Sequence, residues 1–165
     1  MKKRARKAAD GNRNTLRLQD FLPYRLSVLS NRVSGLIATE YSDRFRLTIP
    51  QWRIMAVLAE HEELMARDIE PIVRMDKVAI SRAVRVLADR RFVRRRASRE
   101  DGRVTWLSLT ASGRRVYQQV RPIAQRHEDR LLEALNKQEI DALWRLLDKL
   151  DLQAERQAQA LEGEE

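Results

Sequence analysis

The chain has 165 residues, a formal net charge of +9 and no cysteine. Its length suffices for one domain, or for two small lobes that share a core. The lack of cysteine excludes disulfides, thiolate metal sites and thiol redox sensing. The excess of positive charge favours nucleic acid or an anionic surface as the partner.

The charge is segregated along the chain. Residues 90–103 contain seven arginines against Glu100 and Asp101, whereas residues 128–165 contain eleven acidic and five basic residues. Residues 1–18 are mostly basic and polar and lack apolar periodicity, which predicts a disordered arm. No apolar run resembles a signal peptide or could span a membrane, so we expect a cytoplasmic protein.

The first predicted helix lies within residues 19–46. Leu22, Leu26 and Leu29 begin an apolar stripe that steps by four and three residues, and Tyr41 and Phe45 continue it. Pro23 falls in the first turn, where proline is tolerated. We interpret this segment as a dimerisation helix.

Residues 47–110 carry the signals of several short elements. Thr48 can cap a helix that has Gln51 three residues on. A following helix is predicted to begin near Asp68, which leaves Pro71 in its first turn. Asp76 is a natural N-cap for the next helix. Two short helices in tandem, the second with cations between its apolar positions, indicate a helix-turn-helix.

A hairpin and two further helices complete the pattern. The strand-forming stretches FVRRRAS and RVTWLSL flank REDG, whose Asp-Gly pair favours a hairpin. Thr110 can cap a helix, and NKQE at 136–139 is a capping box. Residues 111–160 are predicted to form dimerisation helices, followed by a tail at 161–165. The apolar stripes at both ends favour a homodimer, and their packing within one chain is the alternative.

Three stretches carry a resemblance to a known family. They are AISRAVRVLADRRFVRRR, REDGR and LSLTASGRRV. Over residues 20–155 the chain resembles the MarR family of winged helix-turn-helix transcriptional regulators. The implied fold is mainly α (α+β), a winged helix-turn-helix domain with a two-stranded wing, flanked by N- and C-terminal helices that form a dimerisation lobe. Arg91 stands where the family often has glycine, so we expect the left-handed conformation that glycine makes easy to be either costlier here or absent.

The resemblance implies a function in DNA binding. We expect a sequence-specific transcriptional regulator, most often a repressor, that binds a pseudo-palindromic double-stranded DNA operator as a homodimer. The predicted contacts of the recognition helix are Lys77, Ser81, Arg82 and Arg85. Those of the wing are Arg94, Arg95, Arg96, Arg99, Asp101 and Arg103. Asp101 would shape the wing tip and Arg103 would enter the minor groove. A solvated arginine surface and an ion pair of Arg82 with Asp76 or Asp89 are the alternatives.

The resemblance also implies release of DNA by a small aromatic or heteroaromatic carboxylate. Such a ligand requires an aromatic wall and a cation. The predicted cation is Arg32. The other candidate residues of the effector site are Tyr41, Trp52, Arg53 and His61. The alternative makes Trp52 a core residue and His61 a surface residue.

Other functions are less well supported by the sequence. We expect no metal, because two histidines without a third ligand do not make a zinc site. We expect no cofactor and no enzymatic activity, since no catalytic or phosphate-binding motif occurs in the sequence. The alternative function is that of a non-sequence-specific architectural DNA-binding protein without a ligand switch.

Overall fold

The computed structural model describes residues 15–98 and 104–163. After a short 3₁₀ turn at Leu18–Asp20, the elements are α1 (Leu22–Phe45), α2 (Ile49–Glu60), β1 (Leu64–Met65), α3 (Ala66–Val73), α4 (Lys77–Asp89), β2 (Val93–Ala97), β3 (Thr105–Leu109), α5 (Ala111–Leu132) and α6 (Lys137–Glu162). Residues 99–103 belong to the predicted wing tip, so the predicted contacts Arg99, Asp101 and Arg103 lie outside the described residues. The same holds for the first 14 residues of the predicted arm.

The predicted helix caps are confirmed. The Thr48 hydroxyl accepts from the Gln51 N–H while the Gln51 side chain accepts from the Thr48 N–H, as in a capping box. The Asp76 carboxylate accepts from the Ala79 N–H at 2.8 Å and so begins α4. Asn136 caps α6 in the same way. Each cap satisfies N–H groups that have no partner inside the helix.

The helix predicted to begin near Asp68 begins two residues earlier, so the predicted place of Pro71 in its first turn is wrong. The helix begins at Ala66, because β1 ends at Met65 and the chain enters the helix directly, without a side-chain cap. Pro71 therefore lies inside α3 and not in its first turn. It removes one helical hydrogen bond, and α3 ends two residues later at Val73. Arg74 closes the helix in the left-handed conformation, with φ 49°.

The sheet is antiparallel and has three strands in the order β1-β3-β2. β2 and β3 form the predicted two-stranded wing, whereas β1 was not predicted, because two residues give no recognisable alternation. Arg94 lies opposite Ser108, Arg95 opposite Leu107 and Arg96 opposite Trp106. Successive strand residues face opposite sides of a sheet. Arg95 therefore faces one side of the wing, and its two neighbours face the other.

The core lies where α2, α3, α4, the sheet and the middle of α5 meet. Its fully buried side chains are Tyr41, Leu47, Ile54, Met55, Leu58, Ile69, Leu87, Leu107 and Val120. The ends of the chain contrast with this core. Large apolar side chains are exposed on the first half of α1 and on α6, and no described helix or strand packs extensively on α6.

The junction between the wing and α5 is tightly packed. A Cβ at Gly113 would collide with the backbone carbonyl oxygen of Phe92, so α5 approaches this backbone in a way that only glycine permits. The hydroxyls of Thr110 and Ser112 both donate to the carbonyl oxygen of Arg91, at 2.6 and 2.7 Å. Arg91 has φ 57°, so the left-handed conformation is present, and of the two expected alternatives the costlier one is found.

Candidate nucleic-acid interface

Helix α4 has one buried and one exposed face. Ile80, Ala83, Val84 and Leu87 enter the core, and the predicted contacts Lys77, Ser81, Arg82 and Arg85 are all exposed. The ammonium of Lys77 lies 3.8 Å from the Glu70 carboxylate. Arg82 and Arg85 form no ion pair or hydrogen bond with a described residue, so neither Asp76 nor Asp89 neutralises Arg82. The exposed face therefore retains positive charge.

A cleft of about 400 Å³ separates α4 from the wing. Arg67, Lys77, Arg85 and Arg95 contribute basic groups to its lining, and Glu70 contributes an acidic one. Ile80, Val84 and Leu107 provide apolar surface between them. Arg95 therefore faces the same space as Lys77, Ser81 and Arg85 of α4, and the charged groups of the cleft are predominantly basic.

The other two described wing arginines contact Glu63, in the loop between α2 and β1. Arg96 donates to the two Glu63 oxygens at 2.6 and 3.4 Å, and a guanidinium nitrogen of Arg94 lies 3.7 Å from the same carboxylate. The hydrogen bond from Arg96 is the main reason that the pKa of Glu63 lies below its usual value. The sequence pattern did not indicate this contact, since Glu63 lies 33 residues from Arg96.

Arg90 makes a second long-range contact that the sequence did not indicate. It follows the last residue of α4 and donates to the carbonyl oxygens of Phe45 at 2.6 Å and Arg46 at 2.7 Å, at the end of α1. Its guanidinium also lies over the Phe92 ring, 4.5 Å from the centroid. Burial, with a smaller contribution from Arg46, lowers the pKa of Arg90.

Three of the predicted effector residues lie together between α1 and α2. The rings of Tyr41 and Trp52 are 6.0 Å apart, and Trp52 stacks on Tyr117 of α5 at 5.6 Å. Arg53 donates to the Ser34 hydroxyl at 3.4 Å. Burial raises the pKa of Tyr41, and the positive charge of Arg53 partly opposes this shift. Trp52 is half-buried against the core, as the alternative interpretation expected.

The other two predicted effector residues lie elsewhere. Arg32 is exposed and borders a groove lined by residues 19–32 of the N-terminal segment. His61 is exposed at the end of α2. Neither forms a hydrogen bond, ion pair or ring contact with another described residue. The cation that accompanies Tyr41 and Trp52 is therefore Arg53 and not Arg32.

Helices α1 and α5 are linked by a polar cluster. The Glu40 carboxylate lies 2.7 Å from Nε2 of His127 and accepts a 2.8 Å hydrogen bond from Arg126. These two hydrogen bonds, that of His127 foremost, lower the pKa of Glu40. The described residues contain no group of three His, Asp or Glu side chains suited to hold a metal ion.

Comparison with known proteins identifies the architecture. The MarR family model matches residues 47–104. A MarR/EmrR family transcriptional regulator from Acinetobacter sp. ADP1 superposes with a TM-score of 0.77 at 27% identity, over 86% of this chain and 99% of that one. The chain is thus similar to the MarR family over residues 47–104 and shares the fold of that solved structure. The predicted resemblance and the winged-helix fold are thereby confirmed.

Two further proteins that the chain resembles have named roles. The HTH-type transcriptional regulator BilQ of Clostridium symbiosum is 30% identical over 84 residues, which are 51% of this chain and 58% of BilQ. The match thus spans little more than half the length of that regulator. BpsR of Bordetella bronchiseptica, whose DNA binding is regulated by 6-hydroxynicotinic acid, has the same fold, with a TM-score of 0.73 and 19% identity. The alignment covers 83% of this chain and 97% of BpsR.

The matches differ in which part of the chain they cover. The family model extends from just before α2 to the residue before β3, and therefore includes α4 and Glu63. The Acinetobacter structure aligns with most of the chain, so the flanking long helices are part of the shared architecture. None of the described helices is long and apolar enough to cross a membrane.

Proposed function

We propose that this protein is a transcriptional regulator that binds a specific double-stranded DNA sequence as a homodimer and acts as a repressor. The observation that carries the proposal is the exposed face of α4, on which Arg82 and Arg85 have no described acidic partner. Arginine pairs geometrically with the O6/N7 edge of guanine in the major groove. Similarity to transcriptional regulators supports this assignment.

The two DNA-binding elements have separate roles in this proposal. Arg82 or Arg85 reads a base edge, and Lys77 and Ser81 contact phosphates. Arg95 and the wing-tip arginines supply sequence-independent affinity by neutralising phosphates, with Arg103 in the minor groove. The basic cleft between α4 and the wing supports this division, because Arg95 of the wing and Lys77 and Arg85 of α4 line the same space.

The apolar surface at both ends of the chain supports the proposed homodimer. Leu26 and Leu29 of α1 and Trp144, Leu146 and Leu150 of α6 expose between 41% and 53% of their area. A symmetric partner would bury such stripes, and helix-turn-helix proteins bind two half-sites in this way. Sedimentation at micromolar concentration should give a dimer. A purely monomeric species would contradict the proposal.

Substitution of one arginine in each element tests the proposed roles. Arg82→Ala should cost about 1–3 kcal/mol of specific binding and relax the preference at particular base pairs. Arg103→Ala should weaken binding to all sequences alike and flatten its salt dependence. Fluorescence anisotropy with operator and unrelated duplexes measures both effects. Equal losses on every sequence for both variants would contradict the division of roles.

The proposed effector is a small aromatic or heteroaromatic carboxylate that releases the DNA. Tyr41, Trp52 and Tyr117 supply an aromatic wall, and Arg53 supplies the nearby cation. The acid that regulates BpsR is of this class. The ligand must prefer a spacing of the two DNA-binding lobes that does not fit successive major grooves, about 34 Å apart. A tenfold loss of DNA affinity requires a coupling energy of only about 1.4 kcal/mol.

Calorimetry tests the effector proposal with benzoate and 6-hydroxynicotinate as probes. Operator DNA should weaken ligand binding by the same factor by which the ligand weakens DNA binding. Arg53→Ala should abolish ligand binding, whereas the control Arg32→Ala should retain it. Equal ligand affinity with and without DNA would contradict the proposed switch. Loss of binding in Arg32→Ala alone would move the site to the N-terminal groove.

A further inference from the structure

The carboxylate of Glu63 pairs with two wing arginines at once. Its two oxygens accept from Arg96, and one of them also lies within ion-pair distance of Arg94. The guanidinium of Arg96 further lies 5.9 Å from the centroid of the Trp106 ring, on the neighbouring strand. Arg96 therefore has two partners inside the protein before any DNA is present.

The sheet register separates these two arginines from the basic cleft. Arg95 alternates with Arg94 and Arg96 along β2, and Arg95 lines the cleft with Lys77 and Arg85 of α4. The side chains that contact Glu63 therefore leave the opposite face of the wing. Of the three consecutive arginines, Arg95 thus faces the proposed DNA surface, whereas Arg94 and Arg96 contact Glu63 of the same chain.

We propose that Glu63 sets the DNA affinity of the wing by competing with phosphate for Arg94 and Arg96. The inference rests on the proposed DNA-binding function. With Glu63 in place, Arg94 and Arg96 remain in ion pairs within the protein, and the number of phosphates that the wing neutralises is kept low. Without it, the two guanidinium groups become available to a polyanion.

The contact between Glu63 and Arg96 is charge-assisted but partly exposed. The contact from Arg96 is short and charge-assisted, which favours the internal acid. The partners are nevertheless partly exposed, with side-chain exposures of 48% for Arg96 and 31% for Glu63. Exposed ion pairs contribute little to stability. Removal of the carboxylate should therefore free the arginines without unfolding the domain.

Glu62 provides a matched control for this test. It is the preceding residue, it is exposed, and it forms no ion pair or hydrogen bond with a described residue. Glu62→Gln and Glu63→Gln change the net charge equally and in the same loop. A difference between the two variants therefore reports the contact with the arginines and not the overall charge.

The first measurement is DNA affinity by fluorescence anisotropy over a series of salt concentrations. The plot of log affinity against log salt should be steeper for Glu63→Gln than for Glu62→Gln by about 0.9 to 1.8, which corresponds to one or two more neutralised phosphates. Affinity at low salt should rise by the same factor on operator and unrelated duplexes. Equal slopes for the two variants, or weaker binding by Glu63→Gln, would overturn the proposal.

A double substitution of the arginines provides an independent test. Arg94→Gln with Arg96→Gln should leave the salt slope of the otherwise wild-type protein nearly unchanged, but should return Glu63→Gln to the slope of Glu62→Gln. A flatter slope in the wild-type background would overturn the proposal, since the arginines would already bind phosphate. Thermal unfolding of each variant should remain close to that of the wild type.

Heparin chromatography separates failure of this proposal from failure of the proposed function. Glu63→Gln should elute at higher salt than Glu62→Gln, because heparin is a polyanion that can use the freed arginines without any sequence preference. If wild-type protein bound heparin but no DNA, the proposed function would fail and the elution difference would still decide the role of Glu63. Identical elution of the two variants would overturn the role of Glu63 alone.

Discussion

Arg90, just beyond α4, donates a 2.6 Å hydrogen bond to the backbone carbonyl oxygen of Phe45, the last residue of α1. A second hydrogen bond runs to the carbonyl oxygen of Arg46. Carbonyl groups at the end of a helix lack intrahelical partners and carry partial negative charge, which a cation stabilises. Arg90 thereby joins the helix that we propose for dimerisation to the helix that we propose for DNA recognition.

Arg90→Met should lower the free energy of unfolding by about 1–3 kcal/mol, because it removes two charged hydrogen bonds and leaves their acceptors without a donor. Methionine keeps an unbranched apolar side chain over the Phe92 ring. Arg91→Met is the matched control, since the exposed Arg91 side chain contacts no described partner. Urea denaturation measures both variants. Equal stability of the two variants would show that the hydrogen bonds from Arg90 to the end of α1 contribute nothing to stability.

Arg91→Gly should raise the free energy of unfolding by about 1 kcal/mol. Its φ of 57° lies in the left-handed region, which costs an L-residue energy that glycine does not incur. The carbonyl oxygen that accepts from Thr110 and Ser112 belongs to the backbone and is retained. The midpoint of urea denaturation reports the change. A lower midpoint than that of wild type would argue against strain at this position.

Gly113→Ala should destabilise the protein by about 1–3 kcal/mol, because the new methyl group would overlap the backbone of Phe92, which cannot yield like a flexible side chain. Gly35→Ala is a control for which we expect stability to rise and not to fall. A Cβ at Gly35 meets no described atom within 4 Å, and alanine is the better helix former by about 0.5–1 kcal/mol. Thermal denaturation compares the two. Similar effects of both substitutions would refute the close approach at Gly113.

The contact of Glu40 with His127 and Arg126 should make stability fall in acid. The pKa of Glu40 lies below its usual 4.5, so its contribution is fully present above pH 4.5 and is lost as the pH falls through the lowered value. Melting temperatures of wild type and Glu40→Gln should differ near neutral pH and converge in acid. Glu128→Gln, which alters an exposed neighbour without a described partner, should follow the wild type at every pH.

Features that depend on neighbours in sequence were predictable. Thr48, Asp76, Thr110 and Asn136 each cap a helix through a residue three positions on, so a short window contains the whole signal. The order of such signals, together with the family resemblance, sufficed for the winged-helix fold.

Features that depend on distant contacts were not predictable in the same way. Glu63 and Arg96 are 33 residues apart in sequence, and Arg90 and Phe45 are 45 residues apart. No local sequence pattern predicts either hydrogen bond. The position of Arg32 relative to Tyr41 and Trp52 was not predictable for a related reason. Arg32 interrupts an apolar stripe, but the stripe itself is exposed at this end of α1, so Arg32 faces away from the core that contains Tyr41.

The most direct test of the central claim is nuclease footprinting of wild-type protein on the genomic DNA beside its own gene. A sequence-specific dimer that reads DNA through α4 should protect one discrete segment with approximate two-fold symmetry, and its half-sites should lie about one helical turn apart. Arg82→Ala should lose this protection at concentrations that still bind DNA. The claim would be contradicted if wild-type protein bound the same duplex yet protected no discrete segment, as an architectural protein would.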